Sequence, residues 1–400
     1  MKLIILYLYL ICILACAPAI RPQDQVTKPP ESSLPREGEY DKVIEERTKT
    51  ISLNPENATA YFERGVVYDM KGQQGRAMED LDKAIALNPT YANAYNSRGI
   101  VLEKKGNIDR AIEDYTKAIS LDPNFALAYS NRAGAYYSKG EPNRAIEDCN
   151  KAISINPNLA NAYNNRGIAY KNKGQLDQAI EDYNKAIFLN PKYVDAYYNR
   201  ANAYQLKAKH DQALYDFNRA ISLDPYYASA YHARGILYDE AGQQERALGD
   251  FNKAISLDPK FAKAYSSRGV VYGKKGQLDL AIEDHSRAIS LDPIFYGFYS
   301  NRAAVYLNKG QPDKAIEDCN QAVSLNPNFK NAYLNRGLAY ISKKKYDQAI
   351  EDYNQAISLD TNFSLAYYLR GLACIEKGQF GRAQNDFKRA CELGFKKACR

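Results

Sequence analysis

The 400-residue sequence contains no tryptophan, few histidines and no Cys-x-x-Cys pair. His210, His232 and His285 stand far apart, so the usual zinc-site spacings are absent, and we predict no metal and no cofactor. The net charge of +7 is spread along the chain without a long Lys or Arg run, which argues against a nucleic-acid partner. Neither Gly-x-x-x-x-Gly-Lys nor His-Glu-x-x-His occurs, and no segment outside the repeats could hold a catalytic domain. We therefore predict no enzymatic activity.

The N-terminus holds an apolar run, Leu3 to Ala15, of 13 residues. This is the length of a signal-peptide core and is shorter than a membrane-spanning helix. The run ends in Ile13-Leu14-Ala15-Cys16, which resembles the lipobox of bacterial lipoproteins, although Ile13 replaces the usual Leu. The resemblance implies a signal peptide at residues 1–15, lipidation of Cys16 and a place in the cell envelope (outer membrane or periplasm where the organism has one), reached through a lipid anchor only. The alternatives are a signal cut near Ala17 or Ala19, giving a secreted or periplasmic protein, and an uncleaved anchor or an intracellular protein.

Residues 16–36 include Pro29, Pro30 and Pro35 and are predicted to form a mobile linker. From Ala58 the chain repeats every 34 residues without insertion or deletion, and such a strict period indicates a helical-repeat array. Residues 37–57 match the second half of a unit and are predicted to cap the array. The ten predicted units are 58–91, 92–125, 126–159, 160–193, 194–227, 228–261, 262–295, 296–329, 330–363 and 364–397, followed by a tail at 398–400.

Each unit shows the same pattern when its places are numbered from 1 to 34. Place 4 is Tyr, place 8 is Gly or Ala, places 20 and 27 are Ala, and place 32 is Pro in eight units. On a helix, places 4, 8 and 11 form one apolar stripe, and places 20, 24 and 27 form another. Glycines such as Gly72 stand between the two predicted helices, where a positive φ is wanted. One unit cannot bury its stripes alone, so we expect neighbouring units to stack.

These positions resemble the tetratricopeptide repeat, and the resemblance covers the ten units. It implies an all-α fold, a right-handed α-solenoid (superhelix) of ten helix-turn-helix units plus the capping half-unit. The implied function is a protein–protein interaction scaffold of the bacterial cell envelope, binding an extended peptide or a partner helix in its concave groove. The alternative is a structural assembly factor of an envelope complex that acts through its convex face or its ends.

One departure from the family is systematic, because place 7 is Arg where Leu is usual, and place 23 is always Asp. The two places lie on the same side of the seam between the helices of a unit. We predict an ion pair, such as Arg166 with Asp182, that fixes the packing. The functional alternative is an arginine ladder for acidic ligands.

Asparagines recur at places 2, 5 and 6 of the first helix, which in the family lines the concave groove. The place-6 row resembles the asparagine ladder in the repeats of O-linked N-acetylglucosamine transferase, which holds the backbone of extended peptides. We predict that this row is accessible and binds peptides, and that its asparagines can be substituted without touching the core. Lys171, Asp195 and Lys263 are expected to set the preference for particular peptides. The alternative is that the row is a solvated helix face. A carboxylate clamp of the chaperone-binding kind is excluded, because its Lys and Arg residues are missing. The predicted groove residues are Asn93, Asn96, Asn131, Asn161, Asn164, Asn165, Asn199, Asn301, Asn331 and Asn335.

Overall fold

A computed structural model describes residues 37–399, and within this range the chain is built of α-helices and one short 3-10 helix, with no β-strand. The predicted signal peptide, the linker and Cys16 lie outside the described residues. The described chain divides into two compact bodies, residues 37–225 and 226–399. The first contains a capping helix, Glu37–Leu53, and the helices of units 1 to 5; the second contains the helices of units 6 to 10 and the 3-10 helix Lys396–Cys399.

Each unit is an antiparallel hairpin of two helices, which confirms the predicted α-solenoid class in both bodies. The first helices are Ala58–Met70, Ala92–Lys104, Ala126–Ser138, Ala160–Asn172, Val194–Leu206, Ala228–Glu240, Ala262–Lys274, Tyr296–Asn308, Lys330–Ser342 and Ser364–Glu376. The second helices are Gln74–Leu87, Ile108–Leu121, Pro142–Ile155, Leu176–Leu189, His210–Leu223, Gln244–Leu257, Leu278–Leu291, Pro312–Leu325, Tyr346–Leu359 and Phe380–Glu392.

The turn between the two helices of a unit requires a left-handed backbone conformation. Gly72 has a φ of 72°, which confirms the predicted helix break. In units 5 and 9 the same place is occupied by Ala208 and Lys344, with φ values of 53° and 57°. A side chain is disfavoured in this region, so these two turns are formed at a local energetic cost.

The core of a unit is set by a size match between places 8 and 24. A Cβ atom at Gly99 would lie 2.6 Å from the Tyr115 ring, and one at Gly167 would lie 2.6 Å from the Tyr183 ring. The rings of Tyr115 and Tyr183 are fully buried. Glycine at place 8 therefore lets the two helices approach closely enough to enclose a large aromatic side chain.

The cysteines serve two structural purposes. Cys149, Cys319 and Cys374 are buried and form no disulfide within the described chain, as expected of small apolar core residues. Cys391 and Cys399 form a disulfide, which ties the 3-10 helix back to the last α-helix.

Candidate binding face

The seam between the helices of each unit carries the predicted ion pair. In unit 4, Arg166 Nε and Nη2 donate to the two carboxylate oxygens of buried Asp182 at 2.8 and 2.7 Å. Hydrogen bonding to Asp182 raises the pKa of the Arg166 guanidinium above its usual value. The equivalent contacts join Arg64–Asp80, Arg98–Asp114, Arg132–Asp148, Arg200–Asp216, Arg234–Asp250, Arg268–Asp284, Arg302–Asp318, Arg336–Asp352 and Arg370–Asp386.

The same arginine also reaches the preceding unit. Arg166 Nη1 donates to Asn150 Oδ1 at 2.7 Å, and its guanidinium lies 5.5 Å from the ring centroid of Tyr163. Each nitrogen of the Arg166 guanidinium is thus engaged inside the protein. The structural interpretation of the arginine row is confirmed, since these groups are not held open for an acidic ligand.

A second inter-unit row was missed in the sequence. Lysines at place 14 contact place 18 of the preceding unit, where the partner is acidic except for Asn143. The acidic partners are largely exposed, so each contact stabilises little. Lysines at place 14 and mostly acidic residues at place 18 both recur with the 34-residue period, and this shared period could have revealed the row of contacts. The contacts are Lys71–Asp41, Lys139–Asp109, Lys173–Asn143, Lys207–Asp177, Lys275–Glu245, Lys309–Asp279, Lys343–Asp313 and Lys377–Asp347.

The expectation of an accessible asparagine row is wrong for half of its members. The buried residues are Asn96, Asn164, Asn199, Asn331 and Asn335. For all of these except Asn331, the reason is that place 6 of one first helix meets place 5 of the preceding one. Asn199 Nδ2 donates to Asn164 Oδ1 at 3.1 Å, and Asn335 Nδ2 donates to Ser300 O at 3.2 Å. Changing Asn199 would therefore disturb the packing between units, contrary to the expectation.

The remaining members keep access to solvent. Asn93 and Asn161 at place 2 are exposed, and Asn131, Asn165 and Asn301 at place 6 are half-buried. Asn131 Nδ2 donates to Asn96 Oδ1 at 3.0 Å, and Asn165 Nδ2 donates to Ser130 O at 3.0 Å. These internal contacts fix the orientation of each amide.

Ionisable side chains stand at places 12 and 13 of several first helices. Lys104 Nζ lies 2.6 Å from Asp69 Oδ2, and Lys274 Nζ lies 2.7 Å from Asp239 Oδ2, each lysine coming from the following unit. Glu103 Oε2 instead accepts from the hydroxyl of Tyr115 at 3.0 Å. Burial raises the pKa of Glu103, and the bond from Tyr115 opposes this.

Lys171 at place 12 of unit 4 differs from these paired lysines. Among the described residues no carboxylate lies within ion-pair distance of its amine. Burial lowers its pKa from 10.5 to about 8. Asp195 and Lys263, which were predicted with Lys171 to set preference, are half-buried. We call places 2, 6, 9, 12 and 13 of the first helices the first-helix face.

Within residues 37–399, no group of three His, Cys, Asp or Glu side chains is arranged to hold a metal ion. A search of the same range finds no helix whose length and apolar character would let it cross a bilayer.

Comparison with protein families shows the same repeat. The family described as Tetratricopeptide repeat matches residues 92–125, 126–159, 160–193, 194–227, 262–295, 298–329 and 331–363. Related models described as TPR repeat match residues 70–106 and 238–276, and others described as Tetratricopeptide repeat match residues 217–249 and 365–393. No curated protein is significantly similar in sequence.

Two solved structures share the fold. A tetratricopeptide repeat protein from Parabacteroides merdae is 23% identical with a TM-score of 0.51, covering 62% of this chain and 98% of that chain. The APC/C hetero-tetramer Cut9-Hcn1 is 17% identical with a TM-score of 0.54, covering 89% of this chain and 91% of that chain.

Proposed function

The chain belongs to the tetratricopeptide-repeat family, whose members are generally non-catalytic scaffolds for protein–protein interaction, and on that premise we propose that its first-helix face binds an extended peptide or a partner helix. One observation carries this proposal. Asn131 and Asn165 are half-buried, and the Nδ2 of each is bonded internally, which turns the Oδ1 of each away from that contact and leaves it as an acceptor. A peptide backbone presents N–H donors that such acceptors can bind.

The chemistry is narrower than a ladder of free amides would give. Each amide nitrogen uses an N–H in an internal contact, so Oδ1 is the group that each side chain offers fully to a ligand. Because the amides are already ordered, a ligand need not immobilise them on binding, which reduces the entropic cost of association. The proposed face therefore recognises backbone N–H groups with broad tolerance of ligand side chains.

The test uses extended peptides selected from a displayed random library on the full chain. Asn131→Ala combined with Asn165→Ala should weaken binding roughly 5- to 30-fold, at about 1 kcal/mol per lost hydrogen bond. N-methylation of the contacting peptide amides should weaken wild-type binding equally and have little further effect on the variant. Asn124→Ala combined with Asn158→Ala is the matched control, because it removes two exposed amides from the turns between units, outside the first-helix face. An unchanged affinity of the double variant, with its helix content retained, would refute the proposal.

We further propose an envelope location with a lipid anchor at Cys16. The lipobox-like sequence Ile13-Leu14-Ala15-Cys16 supports it. The Cys391–Cys399 disulfide supports an oxidising compartment, because disulfides persist outside the reducing cytosol. Cys16→Ser should release the protein from membranes and remove the mass of the lipid. A variant that stays membrane-bound at unchanged mass would contradict lipidation.

A second candidate role uses the end of the array rather than the first-helix face. An apolar cavity of about 270 Å³ lies between the capping helix and the first helix of unit 1, lined by Val43, Arg47, Phe62, Glu63, Val66 and Val67. Such a cavity suits an assembly contact at this end. Val43→Glu, on the capping helix, should then disrupt assembly, whereas the Asn131 and Asn165 variants should leave it intact. The opposite result would favour peptide binding.

A further inference from the structure

The acidic residues at place 12 are Asp69, Glu103 and Asp239, and they differ in how they are neutralised. In units 1 and 6 the acid is paired with a lysine from place 13 of the following unit. The residue at place 13 after Glu103 is Ser138, which carries no charge. Among the described residues, no lysine, arginine or histidine lies within ion-pair distance of Glu103. Glu103 is thus the place-12 acid without an internal cation.

One oxygen of Glu103 is left available. Oε2 accepts the Tyr115 hydroxyl at 3.0 Å, while Oε1 makes no hydrogen bond within the described chain and is not sealed from solvent. Tyr115 is fully buried, so its hydroxyl holds the carboxylate in a fixed position. The open oxygen is therefore ordered and accepts no hydrogen bond from the described protein.

A gap in the first-helix face lies beside this oxygen. Unit 3 has Gly134 at place 9, whereas all nine remaining units have a side chain there, including Ile100 in unit 2 and Ile168 in unit 4. Apart from its chain neighbours and the backbone of its own helix, a Cβ built on Gly134 would have only Glu103 Oε1, at 3.8 Å, and Asn165 Nδ2, at 3.9 Å, within 4 Å. Three successive units thus surround an unfilled notch with a carboxylate on one side and an amide on the other.

We infer that the notch above Gly134 is a subsite for a basic side chain, a Lys or Arg of the bound peptide, whose cationic nitrogen pairs with Glu103 Oε1. The ligand's cation would neutralise Glu103 in the way that Lys104 neutralises Asp69 of unit 1 and Lys274 neutralises Asp239 of unit 6. The missing side chain at Gly134 provides the room for the ligand to reach the carboxylate. This subsite rests on the proposed peptide-binding function and adds a charge preference to it.

The chain itself offers the variant that closes the subsite. Ser138→Lys places a lysine where units 2 and 7 have Lys104 and Lys274, so Glu103 should be neutralised internally. Asn172→Lys is the matched control, because it adds the same charge at place 13 of the next unit, where the preceding place 12 is Tyr137. Glu103→Gln removes the charge while keeping an acceptor for Tyr115. Gly134→Leu fills the notch with a good helix former.

The probes are labelled peptides of Ala, Ser and Thr that differ only in one central residue: Lys, norleucine or Glu. Fluorescence anisotropy with the full-length chain should show the Lys peptide binding about ten-fold more tightly than the norleucine peptide, as expected of one charge-assisted contact. Ser138→Lys, Glu103→Gln and Gly134→Leu should each abolish this preference, and Asn172→Lys should preserve it.

The outcomes separate the two proposals. If all three peptides bind the wild-type chain equally, the subsite is refuted and the peptide-binding function stands. If the preference persists in Ser138→Lys and Glu103→Gln, it arises elsewhere and the assignment to Glu103 is refuted. If no peptide binds, the proposed function fails, and the subsite fails with it.

Discussion

Replacing Lys171 with Met should stabilise the protein, although the change removes a charged residue. Burial lowers the pKa of Lys171 from 10.5 to about 8, and at 1.36 kcal/mol per pKa unit the buried charge costs about 3 kcal/mol at pH 7. Because the amine keeps some contact with solvent, we expect a gain of about 1–3 kcal/mol. The folded-state pKa lies below the unfolded value, so the cost is complete below pH 8 and declines as the pH rises toward 10.5.

The assay is urea denaturation of both proteins at pH 7 and pH 9.5, followed by circular dichroism. The stability gap should shrink by roughly half at the higher pH, since the folded lysine is then mostly neutral. A Met variant that is less stable at pH 7, or a gap that does not change with pH, would refute the reasoning.

Lys274→Met is the control, and it should change the folding stability in the opposite direction. The amine of Lys274 lies 2.7 Å from Asp239, and the two side chains are only 8% and 16% exposed. Removing this lysine leaves a buried carboxylate without its cation, which should destabilise the protein by about 3 kcal/mol. The two substitutions are chemically identical, so a difference in sign can be attributed to the partner.

Three further predictions concern stability, each read from urea or thermal midpoints. Burial lowers the pKa of His285 to about 3, so wild-type stability should fall by about 2 kcal/mol between pH 7 and pH 5; His285→Phe should lose this decline, and an unchanged pH dependence would count against it. Arg166→Leu should cost about 3–5 kcal/mol because Asp182 stays buried without its cation; adding Asp182→Leu should recover much of the loss, and a double variant no more stable than the single one would contradict this. Lys344→Gly should raise stability by about 1 kcal/mol by relieving the positive φ, whereas a lower thermal midpoint would show that the lysine side chain outweighs the backbone cost.

Much of the fold was predictable because it depends on contacts that recur within one unit. The helix break at Gly72 and the pairing of Arg166 with Asp182 follow from local spacing, and both are confirmed. The disulfide between Cys391 and Cys399 was not predictable, since it depends on how the last turn folds back after Gly394.

The candidate site was harder to predict because it depends on contacts between units. The period shows which places share one helix face, but it does not show how far one first helix is rotated against the next. That rotation buries Asn199 and Asn164 against each other while leaving Asn131 half-exposed. The notch at Gly134 was equally hidden, because a single glycine in a repeat has meaning only when the residues across the interface are known.

The hydrogen bond from Nη1 of the place-7 arginine to the preceding unit gives the array a direction of assembly. Arg166 Nη1 donates backward to Asn150, which lies earlier in the chain, and Arg370 does the same toward Asn354. During synthesis the N-terminal units leave the ribosome first. Each newly emerging unit thus finds the acceptor for its arginine on a hairpin that has already been made, so the growing end is completed by docking onto its predecessor. The hairpins can therefore dock one after another, starting from the N-terminal end of the array.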